Sequence, residues 1–95
     1  MITSETAKLL FEKHRDSKVE FERDTYLNAA EFNIRLACKA GLRLCTMDFG
    51  RDVLGESVND VIDSLKKRGF KVSKSSVGHT DYRESYYFYR LEISW

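Results

Sequence analysis

The chain has 95 residues, 42% of them hydrophobic and 33% charged, with a formal net charge of +1. That length suits one domain built on one core, and the composition is that of a globular chain rather than a disordered one. The charge balance gives no whole-molecule attraction to nucleic acid or anionic lipid, and no apolar run is long enough to span a bilayer.

The opening residues MITSETAKLLFEKHRD lack the charged-then-apolar order of a secretion signal, so a cytoplasmic location is expected. Proline is absent, which leaves glycine and polar clusters as punctuation. Thr3 or Ser4 can cap a first helix in which Ala7, Leu10, Phe11 and His14 share one stripe. Asp16-Ser17 interrupts the stripe, and Ser17 followed by Glu20 has capping-box spacing. The expected organisation is a single domain over 1–95, with an N-terminal helix over 1–16 and an α-β-α-β-β body over 17–95. A second, long helix should run to about Ala40 and stop at Gly41.

That second helix is apolar on two sides. Leu27, Ala30, Ile34, Ala37 and Cys38 recur along one, and Phe21, Ala29, Phe32 and Leu36 lie nearly opposite. A helix of this kind is sandwiched between layers. A sheet supplies one layer; the first helix or a second copy of the chain must supply the other.

After Gly41, LRLCTMDF reads as a strand and GRDVLGE as a loop. Ser57, with Asp60 three residues on, starts a helix whose buried face is Val58, Val61, Ile62 and Leu65 and which ends in KKRG. Phe70 and Val72 open a second strand, VGHTD is the hairpin connection, and ESYYFYRLEISW is the last strand. The order α-α-β-α-β-β predicts an α+β fold, with helices packed on one face of a small three-stranded sheet. The crossover helix leaves the first two strands parallel, and the last strand lies antiparallel between them. A winged helix competes with this fold if DFGRDVLGE is read as a helix.

In the last strand Tyr87, Tyr89, Leu91, Ile93 and Trp95 form one face, expected against the helices, and Tyr86, Phe88, Arg90, Glu92 and Ser94 form the other. Tyr86 and Phe88 either cover the hairpin or, with Phe21, Phe32 and Leu36, belong to a partner-binding surface. The partner expected there is a second copy, giving a dimer, or another protein docking on the sheet.

Catalytic chemistry is not indicated. No GxxxxGK[ST] or GxGxxG loop is present, and the DFG and HRD triplets lack every context of a kinase. Cys45 with His79 is the one conceivable nucleophile pair, and acid–base work by Asp48, Asp52 and Glu56 is no better supported, since these read as surface acids in loops. No metal ligand set or cofactor is expected, and the chain is read as a non-enzyme. Cys38 and Cys45 are expected as reduced, mostly buried thiols. Lys66, Lys67, Arg68, Lys71 and Lys74 form a basic run without an acid. They read either as solvated lysines matched to a helix C-terminus or as a site for a nucleotide phosphate or nucleic acid.

From about Leu27 onward the chain resembles a group of small tailed-bacteriophage proteins. The marks are Ala40-Gly41 at a helix end, Leu65 with Gly69-Phe70 and Val72, and the closing Ile93-Ser94-Trp95. The resemblance implies the fold above and a non-catalytic role, as a virion accessory or as a counter-defence protein that binds and inhibits or modifies a host factor in the host cytoplasm. It assigns no catalytic residue. The alternatives are a winged-helix DNA-binding regulator and an oligomer that sequesters a nucleotide signal.

Overall fold

The computed structural model describes residues 2–95. Its first element is one uninterrupted helix, α1 (Ser4–Lys39), with Thr3 as the N-cap accepting from the Thr6 amide at 3.2 Å. At 1.5 Å per residue, 36 residues make a rod about 54 Å long. The break expected at Asp16-Ser17 is therefore absent, and the two expected helices are one. The physical reason lies in Ser17, whose hydroxyl donates back to the Lys13 carbonyl at 3.1 Å. A serine bonded to its own preceding turn sits in the helix interior and does not cap. No glycine or proline between residues 4 and 40 offers another exit.

Both helices end in the same device. Gly41 (φ +77°) donates to Cys38 O at 3.0 Å, and Leu42 donates to Ala37 O at 2.9 Å. Gly69 (φ +93°) and Phe70 repeat the pattern on Lys66 O and Leu65 O at 3.0 and 3.1 Å. Only a residue without Cβ takes that left-handed step cheaply, so both glycine stops stand where the sequence placed them.

Between these stops lie β1 (Leu44–Asp48) and α2 (Gly55–Lys67); β2 (Lys71–Thr80) and β3 (Ser85–Ser94) follow. The strand order is β1-β3-β2 and both pairings are antiparallel, so β3 is central and β1 and β2 run parallel, as expected from the crossover. Residues 49–54 form a turn rather than a third helix, so the winged-helix order is not adopted. The hairpin turn also lies further on than VGHTD. Val77 to Thr80 extend β2, and Asp81 to Glu84 make the turn, the Asp81 carboxylate accepting from the Arg83 and Glu84 amides at 2.8 and 2.9 Å.

One face of the sheet carries the core. Met47, Leu91 and Ile93 meet Val58, Val61, Ile62 and Leu65 of α2 and Ala30 of α1, with Phe49 closing the end. All four residues expected on the buried face of α2 are buried. Of the five expected on the helix-facing side of β3, Leu91 and Ile93 are buried and Trp95 packs edge-on to Phe70, centroids 6.2 Å apart. Tyr87 and Tyr89 depart from the expectation and are exposed. Strands of ten residues reach about 33 Å, beyond the roughly 20 Å of a 13-residue helix, so the hairpin overhangs its cover.

Polar ties from Arg15, Glu22, Tyr26 and Asn33 fix α1 to the rest, and those of Glu22 and Tyr26 lie nearest the core. Glu22 Oε1 accepts from Ser57 Oγ at 3.1 Å and from the Leu54 amide at 3.4 Å. The N-cap of α2 is Leu54, which has no capping side chain, so a carboxylate from α1 serves the positive end of α2. Ser57, expected as the cap, is instead a buried hydroxyl inside the helix. The Tyr26 hydroxyl accepts from the Gly50 amide at 2.9 Å, and its ring lies 4.5 Å from that of Phe49.

Candidate interaction surfaces

The continuity of α1 sets Phe11 on the same rod as the expected partner-binding residues Phe21, Phe32 and Leu36, while Tyr86 and Phe88 stay apart on the sheet. Body-facing positions along its second half are covered: Ala30 and Ala37 are buried, and Leu27 and Ile34 are half-buried. On the opposite stripe Ala29 departs from the expectation, half-buried against the core, but the larger side chains are not covered. Phe21 is 72% exposed, Phe32 62% and Leu36 49%, and Phe11, on the far side of the expected break, is 66% exposed. The layer that the first helix was expected to supply cannot come from it, because that segment is the same rod continued. From Ile2 to Lys18 every residue is exposed, and among the described residues the Arg15–Glu56 ion pair is the one salt bridge tying this half to the body.

Two shallow grooves border the stripe where α1 passes the turn after β1. One, of about 400 Å³, is lined by Phe11, His14, Arg15, Lys18 and Leu54. The other, of about 360 Å³, lies between Lys18, Phe21, Glu22, Thr25 and Tyr26 on one side and Gly50 to Val53 on the other. A large apolar side chain presented along the stripe has a place to lodge in each.

Tyr86 and Phe88 sit on the open face of the sheet, half-buried, and their rings are already engaged. His79 stacks on Tyr86 with centroids 5.0 Å apart, and the Arg51 guanidinium lies 5.1 Å over the same ring. Arg90 lies 5.7 Å from the Phe88 centroid. Arg90 also grips Asp48 through Nε and Nη2, at 2.6 and 3.1 Å, and Arg51 pairs with Glu84. This bidentate hydrogen bonding holds the Asp48 carboxyl below its usual range, against a weaker opposing effect of burial. A concavity of about 540 Å³ opens here, bounded by Asp48, Arg51, His79, Asp81, Glu84 and the two rings. The aromatic residue of β3 that stands free is Tyr87, 74% exposed on the other face, its ring lying over Gly78.

The basic run does not converge. Lys66, Lys67 and Arg68 are exposed at the C-terminal end of α2, matched to the negative end of its dipole. By strand pairing Lys71, opposite Ser94, lies on the open face, while Lys74, opposite Leu91, lies on the helix side with its ammonium 5.2 Å from the Tyr89 ring.

The nucleophile pair is separated. Cys45 pairs with Ile93 and His79 with Tyr86, seven residues or about 23 Å apart along β3 and on opposite faces. Both cysteines are free thiols, but Cys38 is exposed, contrary to expectation, and Cys45 is half-buried with its pKa raised by burial and by the neighbouring Cys38. Among the described residues no group of three or more His, Cys, Asp or Glu side chains is placed to hold a metal ion, and no helix is long and apolar enough to cross a membrane.

Sequence reasoning missed Glu22, Arg51 and Arg90, and it assigned Phe11 to a separate helix. The signal for Phe11 was present: the 3-4 spacing of the first stripe continues through Lys18 into Phe21 without a change of phase. Comparison with known proteins finds no matching family model, no matching curated protein and no matching solved structure.

Proposed function

We propose that this chain is a non-catalytic, self-associating interaction protein that binds a host protein in the cytoplasm and inhibits or modifies it, in the manner of a phage counter-defence protein. The observation that carries the reading is the α1 stripe: three phenylalanines more than 60% exposed, Phe21 and Phe32 where the other side of the rod meets the core and Phe11 where the rod projects beyond it. Each ring contributes about 1.5–3 kcal/mol when covered, and in water that contribution is forgone. Apolar patches of this extent on a soluble protein mark interaction sites. The concavity on the open sheet face is lined by Arg51 paired with Glu84 and by Asp48, which Arg90 holds, and no nucleophile and base are joined there, which supports adhesion over bond-making.

The test uses the immobilised protein in host extract beside a Phe21→Ser/Phe32→Ser variant. Bound proteins and bound small molecules are identified, and the activity of any retained protein is assayed with purified components. A protein retained by the native chain, lost by the variant and altered in activity on binding is the expected result. Identical retention by both chains, or turnover of a bound small molecule, contradicts the proposal.

A further inference from the structure

We infer that the outer edge of β2 receives an extended acidic segment of a partner protein as an added strand. β2 is an end strand of the sheet, and its pairing with β3 runs through ten residues without a bulge. The direction of its free backbone groups follows from the other side of the sheet. Phe49 donates to Tyr89 O and Trp95 to Arg43 O, so the odd-numbered residues of β3 turn their amides and carbonyls toward β1. In an antiparallel ladder these directions alternate, so the even-numbered residues of β3 serve β2, and the odd-numbered residues of β2 answer them. Val72, Lys74, Ser76, Gly78 and Thr80 therefore point their amides and carbonyls off the sheet. A strand laid along β2 finds five donors and five acceptors in one line. This surface is separate from the α1 stripe, since α1 packs over β1 and α2 over β2.

Charge names the chemistry of the occupant. The basic run as a whole is spread out, but three of its lysines flank this edge. Lys71 stands on the open face and Lys74 on the helix side, both exposed. Ser57 faces α1 through its bond to Glu22, and Lys66, nine residues on, is two and a half turns round α2. That puts Lys66 on the flank of α2 away from α1, above β2. Among the described residues none of the three is in an ion pair, with Glu92 opposite Ser73 and Asp63 one turn before Lys66 both unbonded to them. Lysines on an edge guard it, because an added strand must bring its side chains against their ammonium groups. The guard works against basic and neutral strands and favours an acidic one.

The other half of the edge carries no such guard. From Ser75 to Thr80 there is no lysine, arginine or proline. Gly78 leaves the helix side bare, and the Tyr87 ring, most of it exposed, lies over it. A side chain of the added strand opposite Gly78 rests beside that ring, which suits an apolar residue. The positions opposite Lys74 and Gly78 point to the same face, four residues apart. The segment is thus acidic where it passes Val72 and Lys74 and apolar where it passes Gly78.

The test uses the full chain and a synthetic ten-residue peptide of threonine and valine. It carries two glutamates toward its C-terminus and a phenylalanine four residues before the first of them, the order an antiparallel strand requires. A second peptide has the reverse order, for a parallel strand. Binding is read by fluorescence anisotropy and amide exchange by NMR. Saturable binding of one peptide is expected, with exchange at residues 72, 74, 76, 78 and 80 slowed at least tenfold and a smaller change at 73, 75 and 77. Lys66→Glu/Lys71→Glu/Lys74→Glu should weaken binding at least tenfold. Ser76→Pro removes an outward amide and no bond to β3, and it should abolish binding. Where circular dichroism shows that Ser76→Pro weakens the fold, a peptide methylated on the amides that face β2 takes its place. No saturable binding of either peptide overturns the inference, as does binding that survives Ser76→Pro or the methylation. Slowing of the same amides with rising protein concentration and no peptide assigns the edge to a second copy and also overturns it. Phe21→Ser/Phe32→Ser should bind the peptide as the native chain does, so failure at this edge is distinct from failure of the α1 stripe as a docking surface.

Discussion

The two helices of this molecule present opposite solutions to the same problem. α2 has its apolar residues on one side, at 58, 61, 62 and 65, and all are buried. α1 has almost three times the length and apolar residues on two sides, and the fold covers one of them. The difference is one of supply: a three-stranded sheet offers a single apolar face, and α2 and the second half of α1 between them fill it. Among the described residues, what remains of α1 is tied to the rest by the Arg15–Glu56 ion pair and has no apolar cover. Because isolated helical segments of about 15 residues are marginal in water, the first half of α1 depends on continuity with the second half and on whatever covers it.

The largest effect that separates the helices is expected in the core. Leu65→Ala removes a fully buried side chain from α2 and should cost about 2–5 kcal/mol of unfolding free energy in urea titration. The same titration on Phe32→Ser, on the free side of α1, should move monomer stability by no more than about 0.5 kcal/mol, while association measured by light scattering is lost. A large stability loss from Phe32→Ser would place that ring in an intramolecular core and erase the contrast.

The tie between the helices comes next. Ser57→Ala deletes the buried hydroxyl that donates to Glu22, and about 1 kcal/mol should be lost. Glu22→Ala should lose at least as much, because it also frees the Leu54 amide, and the double variant should lose less than the two together, since both changes remove the Ser57–Glu22 bond. Strict additivity would show that Glu22 and Ser57 act independently.

The smallest effect is electrostatic and lies on the open sheet face. The Asp48 carboxyl has its folded pKa lowered, first by the hydrogen bonds from Arg90, so the folded state favours the ionised form. The stabilisation is fully present above the unfolded value of about 3.9 and is lost as pH falls through the lower folded value. Both side chains are more than 40% exposed, which keeps the contribution small. The gap in urea midpoint between the native chain and Asp48→Asn should be constant near neutrality and close in acid. A gap that does not change with pH would mean that Asp48 acts by packing alone.

How much of this was legible in the sequence follows from how local each signal is. The buried face of α2 and both glycine stops depend on one turn of helix or one residue's φ, and they could be read directly. Ser17 could not, because a serine with Glu three residues on satisfies a capping box and a helix interior equally well, and only the bond to Lys13 decides. Gly78 drew the hairpin turn toward itself as glycines do, yet its role is to sit beneath the Tyr87 ring, where an added Cβ would stand 3.2 Å from a ring carbon. Phe21, Phe32 and Leu36 were recognisable as surplus apolar surface because they oppose a complete buried stripe. The cover over Tyr86 and Phe88 comes from Arg51 and Arg90, whose positions are set by the turn after β1 and by cross-strand pairing, so no local pattern announces it.

Amide hydrogen exchange along α1, followed as protein concentration is raised, tests most directly whether this rod needs a companion. Residues 4–18 should exchange quickly in dilute solution and slow by tenfold or more as concentration rises, with no such change in Phe21→Ser/Phe32→Ser. Exchange there as slow as in residues 19–39 at every dilution would mean that the chain protects the whole helix alone, and the account would fail.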